Sequence, residues 1–191
     1  MEKPHSCGDR LGAGDRRYHR RKRIGLPLLR GDTIRKANRS PFMALFFLDL
    51  TRRPPRSPRV RLGGYVCLPR LLDKGRAQLA GKAGDYRYNC PIDQRWFSFT
   101  GLSSDALLAE LAKGKSDGEL LAWIAENAPL RRAPWEISAW SAYMEARAPG
   151  DAESHRILAE NIEKLAPDRE DIIGWFDLLD LDDYVSFGGK A

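Results

Sequence analysis

The chain has 191 residues, 42% hydrophobic and 30% charged, with 32 Lys+Arg against 26 Asp+Glu for a formal net charge of +6; this is the composition of one moderate-sized globular domain and excludes disorder throughout. No run approaches the roughly 18 consecutive apolar residues of a membrane span. The cysteines Cys7, Cys67 and Cys90 are scattered, and no Cys/His spacing of a zinc site occurs, so a disulfide scaffold and a zinc finger are disfavoured.

The charge is unevenly divided. Residues 1–48 hold 12 basic and 4 acidic side chains, whereas residues 49–191 hold 20 and 22. The block Arg16 to Arg23 lies among Gly and Pro, with apolar residues in no helical or strand period, so residues 1–42 read as a disordered basic tail. Three accounts of it compete: a basic arm for nucleic acid or anionic surfaces, an Arg-rich targeting segment, and translated non-coding sequence upstream of a start at Met43. Glu2, Asp9, Asp15 and Asp32 are unusual in a transit peptide, and no apolar core with a small-residue cleavage site is present. The rest of the chain is acidic on balance and offers no recognisable reading module, so nucleic acid is not the expected partner. A start-codon artefact is the leading account, and residues 43–191 are expected to form the single folded domain.

Pro54, Pro55 and Pro58 remove backbone donors and fix φ, so residues 52–61 are expected to run extended across a surface. After Gly63-Gly64, Leu68, Leu71, Leu72, Gly75 and Leu79 share one helical face, and the glycine on it predicts a close helix neighbour. Tyr86 and Tyr88 alternate with Arg87, Trp96 to Phe99 is a short aromatic run, and Asn89 to Gln94 between them is turn-forming; residues 85–100 therefore predict a small β-hairpin, with a short helix over 91–99 capped by Asp93 as the alternative.

Beyond Gly101 the pattern is a series of helices. Ser103 or Ser104 caps one that ends at Gly114; Ser116 and Glu119 form a capping box opening the next, which Pro129 stops. Pro134 suits the first position of another, ending at Pro149-Gly150. Asp151 caps a fifth, with Leu158, Ile162 and Leu165 inward, and Asp168 is expected to cap the last, carrying Ile172, Ile173, Phe176 and Leu179. The expected fold is mainly α: a single helical bundle-like domain of about six helices with one small β-hairpin.

Asp49-Leu50-Thr51, the string from Arg53 to Tyr65, Asn89-Cys90-Pro91, residues 114–119, Pro134-Trp135-Glu136 with Trp140, and the ending Trp175 to Asp180 with Ser186 to Lys190 resemble the bacterial domain-of-unknown-function family numbered 5069. The resemblance covers nearly all of residues 49–191 and brings no activity, cofactor or site residue with it. Similar family members begin close to the Asp-Leu-Thr segment, which implies that residues 1–42 are extraneous.

Five arginines fall within residues 52–61, and Arg53, Arg56, Arg59 and Arg61 are the candidate anion-binding set, because guanidinium forks suit phosphate and carboxylate. The competing account is internal pairing with the acidic end, where Asp177 and Asp180 are read as lying near a helix C-terminus that disfavours negative charge. Asp177, Asp180, Asp182 and Asp183 fit no calcium-loop spacing, so no metal and no cofactor are expected. Cys90 and Asp93 are candidate catalytic residues, with Arg87 or Arg95 as the cation and His155 as the base that nucleophilic thiol chemistry requires; the plain reading of Cys90 is a packed thiol. The five tryptophans are expected in the core with their indole N–H groups bonded to carboxylates, Trp135 being the exception that lines a ligand pocket. The functional expectation is a cytoplasmic binding module for an anionic small molecule or a protein partner, with an enzyme centred on Cys90 and Asp93 as the alternative.

Overall fold

The computed structural model describes residues 49–190; the predicted tail, 1–42, and the start at Met43 lie outside them. Seven helices make up the described domain: α1 (Leu68–Leu79), α2 (Pro91–Thr100), α3 (Ser104–Ala112), α4 (Asp117–Asn127), α5 (Pro134–Glu145), α6 (Ala152–Leu165) and α7 (Trp175–Ser186).

The predicted β-hairpin over 85–100 is replaced by α2, the helical alternative. Its start explains why: Pro91 occupies the first turn, and the Asp93 carboxylate accepts a hydrogen bond from the Cys90 N–H at 3.3 Å. The same reach of an acid from the third helical position recurs at α4, α5 and α7, where Glu119, Glu136 and Asp177 accept from the N–H groups of Ser116, Ala133 and Gly174 at 2.8, 2.7 and 2.9 Å. Asp168 therefore does not cap the last helix. Asp177 does, from the helix's first turn, where the dipole favours a negative charge, so the expected C-terminal penalty is also overturned. Ser103 caps α3 and Asp151 caps α6, as their sequences predict.

The only β-bridge among the described residues joins Leu62 and Tyr65 around Gly63-Gly64, whose φ values of 58° and 85° suit the tight turn of a two-residue connection. A Cβ at Gly63 would also collide with the Leu121 side chain.

α1 is the central element. Leu68, Leu71 and Leu72 are fully buried in a core completed by Trp96, Leu107, Leu120 and Ile124 of the next three helices. Gly75 permits the close approach foreseen for it, since a Cβ there would stand 2.5 Å from Leu111 Cδ1 of α3. A second cluster joins Val66 and Cys67 to Met144 of α5 and Phe176 of α7, and a third packs α6 against α7 around Leu181. Trp96 is fully buried edge-on to Tyr65 and Phe97, and its indole N–H has no acceptor among the described residues, contrary to the carboxylate bonding expected of a core tryptophan.

Candidate functional site

The proline-rich segment forms a strap over α1, held at its start by the Leu50 N–H donating to the Lys82 carbonyl at 3.0 Å and farther on by the Cys67 N–H donating to the Pro58 carbonyl at 2.8 Å. Four of its five arginines are engaged. Arg56 donates to Asp73 at 2.8–2.9 Å and to Asp117 at 2.6 Å; burial opposes the charge on Asp117, but the hydrogen bonds from Arg56 and Arg76 outweigh it and hold this carboxyl below the usual range. Arg59 pairs with Asp177 and, at 2.6 Å, with Asp180, as the internal-pairing account requires of the acidic end. Arg61 reaches Glu145 at 2.9 Å, and exposed Arg53 is also engaged.

Beneath the strap, α1 carries charges that its sequence presents as ordinary solvated residues. Arg70 forms a bidentate pair with Asp183 of α7 at 2.5 and 3.0 Å, both side chains being more than nine-tenths buried, and Tyr86 donates to the same carboxylate at 2.7 Å. Lys74 Nζ donates to Asp93 at 2.8 Å and to Cys90 Sγ at 3.2 Å. The cation beside Cys90 is thus Lys74, and neither Arg87 nor Arg95. His155 is exposed on α6, next to its capping residues, and among the described residues no hydrogen bond joins it to Cys90. Sequence reasoning missed Arg70, Asp73 and Lys74 because Leu68, Leu71 and Leu72 mark only one buried face, whereas the strap and α7 cover the other.

Trp135 is 72% exposed and lines neither of the two hollows between α2 and the α5–α6 region. The first hollow, of about 600 Å³, is lined by Arg95 and Phe99 of α2, by Arg132, and by Trp140, Tyr143 and Met144 of α5. Phe99 and Trp140 stack there with centroids 4.9 Å apart and planes inclined by 11°, and the Arg132 guanidinium lies over Phe99 at 4.7 Å while its Nε donates to the Phe99 carbonyl at 3.0 Å. The second hollow, of about 540 Å³, shares Arg95 and Tyr143 and adds Arg147, Asp151 and Trp175. Arg95 and Arg147 form no ion pair with any described residue. Both hollows fall in the range of about 300–1,000 Å³ usual for small-molecule sites.

A family model described as a domain of unknown function, DUF5069, matches residues 52–185, most of the chain and nearly all of the helical domain. The chain belongs to that family. The match takes in the strap, all of the helical site residues and both hollows of this DUF5069 domain, whereas residues 1–42 fall outside it. No curated protein matches the chain. Among the described residues no helix is long and apolar enough to cross a membrane, and no cluster of His, Cys, Asp and Glu is arranged to hold a metal ion.

Proposed function

We propose that this domain is a binding module for an anionic small molecule with a flat ring, seated in the paired hollows rather than on the strap. The observation that carries the reading is the contrast in arginine use: Arg56, Arg59 and Arg61 are neutralised by carboxylates, while Arg95 and Arg147 converge on one hollow without a carboxylate partner among the described residues. Guanidinium forks recognise phosphate or carboxylate bidentately, and the adjoining Phe99, Trp140 and Tyr143 supply the aromatic surface on which a ring lies. The alternative, an enzyme built on Cys90 and Asp93, has less support: Asp93 is 1% exposed and its carboxylate is occupied by Lys74 and by the Cys90 backbone. The free thiols Cys67 and Cys90 fit a reducing compartment, which agrees with a cytoplasmic protein.

A thermal-shift titration tests the reading, with adenosine monophosphate, adenosine and inorganic phosphate as probes. A ligand that binds only the folded state raises the melting temperature by mass action. The monophosphate is expected to raise it more than either fragment, and Arg95→Gln with Arg147→Gln is expected to abolish the shift. An equal response in the double variant, or no response of the native protein to any anion carrying a ring, would sink the proposal.

A further inference from the structure

We infer that Cys90 and Lys74 form a redox-modification site at which the two side chains become covalently joined. The inference stands apart from the ligand reading. The two described cysteines differ in burial. Cys67 is 1% exposed and burial pushes its thiol up to about 12, so it is a packed, inert sulfur. Cys90 is only half-buried, at the start of α2, and a nitrogen nucleophile stands 3.2 Å from its sulfur.

The cysteine is not an isolated thiol. The Lys74 side chain is 5% exposed, so it cannot swing into solvent, and Asp93, with its own side chain 2% exposed, fixes the nitrogen from the other side. A long flexible lysine normally samples many rotamers; here burial and the carboxylate leave it aimed at one sulfur.

The chemistry balances with a peroxide as the oxidant. The Cys90 thiol attacks one peroxide oxygen, the O–O bond breaks, and the products are a sulfenic acid and water; sulfur loses two electrons and peroxide gains them. The Lys74 ammonium then passes a proton to the Asp93 carboxylate, and the free amine attacks the sulfenic sulfur. An S–N bond forms, the S–O bond breaks, and a second water leaves. Sulfenic acids are known to condense with nitrogen in this way. The link ties α1 to the first turn of α2, beside Pro91 at the rim of the aromatic hollow, and an added thiol reverses it by attack on sulfur.

The test is treatment of the full chain with hydrogen peroxide, digestion without reductant, and mass spectrometry. The expected product is a pair of peptides joined through Lys74 and Cys90, lighter than their sum by two hydrogen atoms. Dithiothreitol should remove it, Cys90→Ser should prevent it, and Cys67→Ser should leave it in place. Replacing Lys74 would strand the buried Asp93 charge, so the result rests on the native link and on the cysteine variants, each checked by melting temperature. Recovery of Cys90 as sulfinic or sulfonic acid on an unlinked chain, or as a disulfide with Cys67, would overturn the inference.

Discussion

The strap and the paired hollows are both rich in arginine, and they use it in opposite ways. On the strap each of Arg56, Arg59 and Arg61 meets a carboxylate of another element, so its charge closes the fold. At the hollows Arg95 and Arg147 meet none among the described residues, while Arg132 lies over Phe99 and reaches Glu136 at 3.5 Å. Arginine count alone does not mark a binding surface; what distinguishes one is the guanidinium left over once the fold has taken its partners.

Substitutions can break that comparison. The largest effect is expected at the buried pair under the strap. Arg70→Ala strands Asp183 in a dry environment, and urea denaturation should show a loss of about 3–5 kcal/mol. Arg56→Ala removes the cation between Asp73 and Asp117, and because its side chain is 35% exposed, screening should limit the loss to about 1–2 kcal/mol.

The same interaction predicts a pH dependence. The Asp117 carboxyl is depressed in the folded state, so its contribution is complete above the unfolded value of 3.8 and disappears as pH falls through the lower folded value. In Arg56→Ala that acid-limb loss should shrink. Arg59→Ala, at an exposed pair, should cost no more than about 1 kcal/mol, and less in high salt. Arg95→Gln and Arg147→Gln should change stability by less than about 0.5 kcal/mol. A melting temperature that drops sharply in either would show that the hollows too serve the fold, and the contrast would collapse.

Much of the architecture is legible in the sequence because local signals mark it: the capping box of Ser116 and Glu119, Pro134 at a helix start, Asp151 at another, and the glycine-marked approach at Gly75 all stand where their chemistry places them. The failures share a cause. Asn89 to Gln94 reads as a turn because Asn, Pro and Asp favour turns, yet Pro91 and Asp93 are equally the first-turn residues of a helix, and only packing of Trp96 and Phe97 decides between them. Asp177 reads as an acid at a helix end because Asp168 offers an earlier start that the chain does not take.

The site was less legible. Arg95 enters the sequence argument as a neighbour of Cys90, but its company with Arg147, Trp140 and Tyr143 depends on contacts between α2 and the α5–α6 region that no periodicity reveals. Lys74 carries no local mark at all, since a lysine between an aspartate and a glycine looks solvated until Cys90 and Asp93 at the start of α2 meet it.

The pairs made by Arg59 and Arg70 also bear on how the chain assembles. Their carboxylates lie 121 and 113 residues farther along, in the last helix. During synthesis, which proceeds at about 5–20 residues per second, both arginines leave the ribosome long before a partner exists. The helical hairpins of the middle of the chain can form on local contacts in that interval, and Arg56 and Arg61 can find their carboxylates there, but Arg59 has none until the last helix is made. Closure at Arg59 is therefore a late event, and a nascent chain cut short before Asp177 would hold the strap through Arg56 and Arg61 alone, over a helix whose Arg70 has no carboxylate to meet.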